Sequence, residues 1–221
     1  AVGKYALLTA TTASNNLAIG YEALKLTTTG PNNVAVGNYN LDSNTTGDGN
    51  TAVGYGVMQA NTTGSHNTAV GRNSLNANTT GQYNIAIGYV ALDACVDGSK
   101  NNAIGAFALT NYDPASSEDS HNNAFGYNAL GATTTGKYNT AVGGNCLDSN
   151  TTADNNTAVG YNALTANQTG TGLTAVGKDA LKANTTATNN SAFGRTALYS
   201  NTTGGNNTGL GVNALYINTT G

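Results

Sequence analysis

A short apolar word that ends in glycine recurs along the whole chain. Its clearest form is the segment 139–143, which reads Asn-Thr-Ala-Val-Gly, and a near-identical copy follows at 156–160. The glycine of this word stands at thirteen positions, spaced 17 residues apart with a single interval of 21: Gly3, Gly20, Gly37, Gly54, Gly71, Gly88, Gly105, Gly126, Gly143, Gly160, Gly177, Gly194 and Gly211. A fixed period of this length is typical of a solenoid or a fibrous array.

The residues around each glycine keep their type from copy to copy. With the glycine as position 0, position −2 is Ala in twelve copies, position −1 is always apolar, and position +4 is Leu in twelve. Positions +7 to +10 usually read Asn-Thr-Thr-Gly, and position +13 is Asn in eleven of twelve complete intervals, with Leu173 as the exception. The pattern predicts short strands joined by turns, because each Asn-Thr-Thr-Gly stretch would stop a helix.

These columns predict an all-β fold, a parallel β-solenoid or β-roll of thirteen 17-residue repeats with one coil per repeat. Stacking in register places each residue above its own copy at about 4.8 Å, and we expect the Asn residues at +13 to form an amide ladder. The glycine is expected either because its φ is positive or because another chain passes too close for a Cβ. The array is predicted to cover residues 1–221 as one unit, and both ends fall inside a repeat, as in a fragment of a longer chain.

Both faces of the predicted strand are apolar or bare. Ala at −2 shares one face with the glycine, and the residue at −1 points the other way. One Val and one Leu per repeat contribute roughly 3–6 kcal/mol when buried, whereas ordering a repeat costs on the order of 25 kcal/mol. We therefore expect several chains to associate around the face formed by Ala and Gly.

Composition and spacing argue against several classes of partner and site. Charged residues make up 9% of the chain and the net charge is −3, without a cluster of Lys or Arg, so neither nucleic acid nor an anionic membrane is an expected partner. Apolar runs are too short for membrane insertion. Cys95 and Cys146 lie three repeats apart, roughly 14 Å at about 4.8 Å per coil, which is too far for a disulfide. His66 and His121 lack the companions of a metal or catalytic site, so no catalytic residue, metal or cofactor is predicted.

The interval of 21 residues contains a four-residue insertion within 110–120. This segment is rich in acids, and we single out Tyr112, Asp113, Glu118 and Asp119 as candidate contacts for a surface glycan or receptor. The alternative is a tolerated bulge at a corner.

Other departures from the grid have two interpretations as well. Five Tyr residues occupy position +1 in alternate repeats, which suits either sugar stacking or packing over neighbouring coils: Tyr21, Tyr55, Tyr89, Tyr127 and Tyr161. Several Asn-Thr-Thr triplets satisfy the glycosylation rule, including those at Asn44, Asn61, Asn78, Asn184 and Asn201. Since these triplets follow the repeat period, the fold explains them without glycans.

The repeat at 156–167, Asn-Thr-Ala-Val-Gly-Tyr-Asn-Ala-Leu-Thr-Ala-Asn, resembles the repetitive regions of phage tail fibres and bacterial surface fibres. It is also distantly similar to the heads of trimeric autotransporter adhesins, whose shorter Ala-Ile-Gly repeat forms a parallel β-roll in a trimer. The resemblance implies a homotrimeric fibre and carries over no catalytic residue.

Three functions follow. The leading expectation is a non-enzymatic structural or adhesive fibre segment, extracellular, on a virion or cell surface, with itself as partner and a surface glycan or receptor as a further one. The second is an ice-binding or carbohydrate-binding solenoid, for which Thr pairs at +8 and +9 would form an array, although adjacent residues point to opposite sides. The third, a polysaccharide-processing enzyme, needs clustered acids, but Asp42, Asp93 and Asp148 at +5 are three repeats apart.

Overall fold

A computed structural model describes residues 1–114 and 119–221. The chain divides into two compact units. The first contains residues 1–106 with the described part of 113–119, and the second contains 107–112 and 120–221.

The described residues contain no α-helix, and their strands are three residues long. In the first unit the strands are β1 (Leu17–Ile19), β2 (Val34–Val36), β3 (Thr51–Val53), β4 (Thr68–Val70), β5 (Ile85–Ile87) and β6 (Asn102–Ile104). In the second unit they are β7 (Asn123–Phe125), β8 (Thr140–Val142), β9 (Thr157–Val159), β10 (Thr174–Val176), β11 (Ser191–Phe193) and β12 (Thr208–Leu210).

Successive strands within each unit are parallel and in register at the repeat period. Ala18 lies beside Ala35 in the first unit, and Ala141 lies beside Ala158 in the second. One strand and its turns form one coil, so the fold is a β-solenoid, as the 17-residue period predicts.

The strands turn their alanine inward. Ala at −2 is fully buried from Ala18 to Ala192, whereas the residues at −3 and −1 are half-buried or exposed. The expectation that the Ala and Gly face lies between chains is therefore wrong, because that face is the interior of the chain's own coil. The side chain at −1 is the one that points outward.

The repeat glycine is required for the positive φ expected from the sequence, and also for a close backbone approach. Its φ lies between 117 and 144°, where an L side chain is strained. A Cβ on Gly88 would also lie 2.5 Å from the carbonyl oxygen of Gly105. The backbone that approaches so closely belongs to the next coil of the same chain, rather than to another chain.

Each coil also holds non-glycine residues in the left-handed region. The buried residues at +4, from Leu24 to Leu198, have φ of 49–54°, and positions +2 and +12 are left-handed as well. This conformation directs backbone N–H groups along the stack: Leu41 donates to Val57 of the next coil, and Tyr39 donates to Tyr21 of the previous one. Burial of the Leu side chain offsets the backbone strain.

The interior is half polar, because two columns of asparagine run through it. Most Asn residues at +13 donate the side-chain N–H to the carbonyl at +10 of the next coil and accept the backbone N–H of the next +13 residue, as Asn33 does. Asn67, for example, donates to Gly81 at 2.8 Å and accepts from Asn84 at 2.9 Å. We call this the backbone-linked column. It is not the stacked-amide ladder expected from the sequence, since its carbonyl oxygens are taken by backbone N–H groups.

The amide ladder lies instead at +7. Asn61 donates to the side-chain oxygen of Asn44 at 2.9 Å and accepts from Asn78 at 2.7 Å. The ladder continues in the second unit from Asn150 to Asn218. Both columns meet at the carbonyl of position +10: Gly64 accepts from Asn50 at 2.8 Å and from Asn61 at 3.0 Å.

Candidate functional site

The two described acids of the insertion, Asp113 and Asp119, each contact the preceding coil of the first unit. Asp113 is exposed, and its carboxylate accepts the backbone N–H of Val96 at 3.2 Å. Asp119 is exposed and forms an ion pair with Lys100 at 2.5 Å. The third acid, Glu118, lies outside the described residues. Asp113 and Asp119 therefore fasten the described ends of the insertion to the coil beneath it.

Tyr112 is not at the surface. It occupies the +7 column in place of Asn and is completely buried, the largest fully buried side chain of the described residues. A glycan or receptor on the surface does not reach this ring in the folded chain. The prediction that Tyr112 contacts a surface ligand is therefore wrong, because the ring lies in the interior.

The outward face of the strands is uncharged and largely apolar. In the first unit, position −1 presents Ile and Val, and in the second it presents Val, Phe and Leu. Ile87 is 37% exposed, Val142 is 39% exposed and Phe193 is 40% exposed. Position −3 adds Thr, Ser, Asn and aliphatic residues, with no charge in any of the described strands. We call this surface the outer sheet face.

Four tyrosines form a continuous row in the first unit. Tyr5 and Tyr39 come from +2, Tyr21 and Tyr55 come from +1, and successive ring centroids are 6.0, 5.3 and 5.6 Å apart in edge-to-face contact. Position +1 taken alone predicts rings on alternate coils. The residues at +2 supply the missing rings, so each of four consecutive coils contributes one. We call this surface the tyrosine row.

Cations lie at both ends of the tyrosine row. The Lys4 ammonium lies 4.8 Å from the centroid of Tyr5, and the Arg72 guanidinium lies 5.9 Å from that of Tyr55. Between them, Tyr21 bonds to Glu22, which raises the pKa of the phenol, and Glu22 pairs with Lys25 at 3.1 Å. Lys25 in turn holds the pKa of the Glu22 carboxyl below its usual value.

The same corner of the second unit has no such row. Phe107 contacts Tyr127 at 5.8 Å, but the next coil carries Gly144 and Asn145, and Tyr161 stands beyond this gap. Further along, positions +1 and +2 hold Lys, Arg, Asp and Thr. The backbone bonds at the corner are nevertheless conserved, at 2.9 Å for both Tyr39 to Tyr21 and Asp179 to Tyr161. The fold therefore does not require aromatic rings at this corner.

The threonine pairs divide their roles, as their alternating directions predict. At +8 the hydroxyl bonds to the next coil; Thr45, for example, donates to the carbonyl of Thr62 at 3.0 Å. At +9 the side chain is exposed in most coils. The two positions consequently do not form one array of free hydroxyls.

The asparagines of the glycosylation triplets are interior. Asn44, Asn61, Asn78, Asn184 and Asn201 all belong to the amide ladder and are fully buried. Their nitrogen atoms bond to ladder neighbours and to position +10, so they are closed to an attached glycan in the folded chain.

Burial governs the titrating groups of the interior. It raises the pKa of Cys95 to about 12 and that of Cys146 to about 11. Both thiols are free, as the spacing of the cysteines predicts, and both are buried. Partial burial also raises the pKa values of the Asp93 and Asp148 carboxyls, whereas hydroxyl bonds from Thr80 and Thr79 lower that of Asp97.

In residues 1–114 and 119–221, no three His, Cys, Asp or Glu side chains come together in a way that suits a metal ion. The same ranges contain no helix with the length and apolar character needed to cross a bilayer.

No protein-family model, curated protein or solved structure matches the chain at a significant level. What the molecule does must therefore be inferred from its own surfaces.

Proposed function

We propose that this chain is a non-enzymatic fibre segment with structural and adhesive roles, which assembles as a homotrimer through the outer sheet face. The location would be extracellular, in a virion tail fibre or a cell-surface filament, as its resemblance to such repeats implies. The observation that carries the proposal is the uncharged apolar row at −1, half-buried or exposed, which repeats on every strand of both units.

A repeated apolar face favours self-association for a physical reason. Contiguous exposed apolar patches are rare on monomers and mark interaction sites. Because the face repeats at the period of the coil, identical copies match along its whole length. Association of soluble chains of one kind gives closed symmetric oligomers, and three faces around one axis would cover every −1 side chain.

The mass of the native particle tests this proposal. Sedimentation or native mass spectrometry is expected to give three times the chain mass of 22.2 kDa. The double variant Val142→Glu, Val159→Glu places two charges on the outer sheet face and is expected to give a folded monomer. The matched control Thr152→Glu, Thr169→Glu places two charges on exposed +9 positions and should remain trimeric. A wild-type chain that is monomeric at high concentration contradicts the proposal.

A substitution inside the coil provides a second test of which strand face forms the interface. Ala158 lies inside the coil, so Ala158→Glu is expected to unfold the coil rather than to dissociate folded subunits, because an unpaired buried charge is costly. Circular dichroism distinguishes the two results. If this variant were a folded monomer, the interface between chains would lie on the alanine face instead of the outer sheet face.

Ice binding is the second candidate, and one observation favours it. Thr and Val of the Thr-Ala-Val strands lie on the same outward face, for example Thr157 and Val159, and form two parallel rows of hydroxyl and methyl groups. Thermal hysteresis measured on the wild type and on the Val142→Glu, Val159→Glu variant tests this use of the face. Hysteresis that is lost in the variant, together with a monomeric wild type, would select ice binding over assembly.

A further inference from the structure

We propose that the tyrosine row of the first unit, with Lys4 and Arg72 at its ends, binds a linear acidic polysaccharide. The inference rests on the adhesive part of the proposed function and names its ligand class. It concerns a different surface from the outer sheet face, so each can be tested without the other.

The row is a feature that the repeat does not dictate. Across the array, positions +1 and +2 hold Lys, Arg, Asn, Asp, Glu, Gly, Ala, Val and Thr as well as aromatics. Yet four consecutive coils supply one tyrosine each, from alternating positions that keep the rings in line. The same corner in the second unit keeps its backbone bonds with the row interrupted at Gly144 and Asn145.

The chemistry of the row suits sugars. A pyranose ring has a face of C–H groups that packs against an aromatic ring, and its hydroxyls need polar partners nearby. Tyr5 is 42% exposed and Tyr55 is 49% exposed, so apolar ring surface is available at both ends of the row. Successive centroids 5.3–6.0 Å apart provide repeated contacts for a chain of sugar units rather than a pocket for one.

Charge selects the acidic class. Among the described residues, neither Lys4 nor Arg72 forms an ion pair, and the acid of the row, Glu22, is paired with Lys25. Two cations therefore flank four rings without a carboxylate bound to either. A carboxylate or sulfate on a sugar would pair with them, while the tyrosines contact the sugar rings between.

The test measures binding of hexagalacturonate, an acidic probe, and cellohexaose, a neutral one, by calorimetry. The wild type is expected to bind hexagalacturonate, at least tenfold more tightly than cellohexaose and more weakly at high salt. The variant Tyr5→Asn, Tyr21→Asn, Tyr39→Asn, Tyr55→Asn should weaken binding at least tenfold. Asn occurs at +2 in other coils with positive φ and at +1 in Asn38, so these changes suit the backbone.

The matched control is Tyr127→Asn, Tyr161→Asn, which removes two exposed tyrosines from the second unit and should leave binding unchanged. The variant Lys4→Gln, Arg72→Gln should lose the preference for the acidic probe and most of the salt dependence.

Three results would overturn the proposal: a wild type that binds neither probe, equal binding of both probes, or undiminished binding by the folded four-tyrosine variant. Loss of binding in a particle that is still trimeric would leave the assembly proposal intact. A monomeric wild type that binds hexagalacturonate would contradict the assembly proposal and leave the binding proposal intact.

Discussion

Two columns of the same amino acid run through the interior and behave differently. In the backbone-linked column, Asn at +13 bonds to main-chain groups of the next coil; in the amide ladder, Asn at +7 bonds to the side chain of its neighbour. The first column admits one exception, Leu173, whereas the second admits Ala10, Thr27, Cys95, Tyr112 and Thr133. A side chain that satisfies the backbone is hard to replace, because its loss leaves a buried N–H without an acceptor. A side chain that satisfies another side chain can be replaced together with its partner.

The largest effect is expected from Asn67→Ala in the backbone-linked column. The change leaves the buried N–H of Asn84 without its acceptor and removes one of the two donors to Gly81. We expect the free energy of unfolding to fall by about 2–4 kcal/mol, measured by denaturant titration. Asn67→Leu, which copies Leu173, controls for the cavity. A loss below about 1 kcal/mol for both variants would contradict the distinction between the columns.

A smaller effect is expected from Asn61→Ala in the amide ladder. Asn78 loses its ladder acceptor but keeps its bond to Gly81 at 3.2 Å, and Gly64 keeps its bond from Asn50. We expect a loss of about 1–2 kcal/mol, and less for Asn61→Thr, since Thr27 occupies this column. If Asn61→Ala costs more than Asn67→Ala under the same conditions, the ranking of the columns is reversed.

The fold class follows from the sequence, because a 17-residue period with an invariant glycine leaves few other solutions. The direction of the strand faces does not follow, since Ala and Val are both apolar. One signal was nevertheless present: position −1 varies from Val to Phe125 and Phe193, whereas position −2 is Ala in twelve copies. A side chain that changes volume freely belongs outside, and a fixed small one belongs inside.

The role of each asparagine was beyond the sequence for a different reason. Both columns appear in the sequence as periodic Asn, and only the backbone path decides whether an amide oxygen accepts from a main-chain N–H or from another amide.

The tyrosine row, in contrast, could be predicted from the sequence. Tyr5 and Tyr39 at +2 fall on the coils where +1 is Lys4 and Asn38. Of the four insertion residues singled out, the structure places Asp113 and Asp119 at the surface and Tyr112 inside, and Glu118 stays a prediction.

A stabilising change is expected where the ladder breaks. The side-chain oxygen of Asn78 is buried and has no hydrogen-bond partner in the described residues, because the next coil carries Cys95. In Cys95→Asn, one side-chain N–H can donate to the Asn78 oxygen and the other can donate to the carbonyl of Gly98. In the wild type this carbonyl lies 3.7 Å from the Cys95 sulfur. We expect the free energy of unfolding to rise by about 1 kcal/mol. Cys95→Ala, which cannot donate, should bring no gain, and equal behaviour of both variants would refute the ladder explanation.

The smallest effect concerns pH. Burial raises the pKa of Cys95 to about 12 from 9.0, so the thiolate forms first in the unfolded chain. The stability contributed by the neutral thiol is complete below pH 9 and is lost as pH rises from there through the folded pKa. Between pH 8 and pH 10 the advantage of Cys95→Asn over the wild type should grow by about 1 kcal/mol. Cys146→Ala tests the second thiol in the same way, and an advantage that shrinks with pH would have the wrong sign.

The left-handed leucines have a consequence for how the molecule folds in time. A lone coil must hold residues at +2, +4 and +12 in a conformation that costs on the order of 1 kcal/mol each, while the coils that accept their N–H groups are still unformed. Formation of the first coil is therefore the main kinetic barrier to folding. Each later coil adds to an existing coil at little cost, as residues add to a nucleated helix.

Refolding should show one slow phase in which the first coil forms. Leu75→Gly should accelerate this phase, since glycine adopts this φ without strain, although the same change lowers the stability of the folded chain. Stopped-flow circular dichroism would measure the phase, and slower refolding of the glycine variant would place the barrier elsewhere.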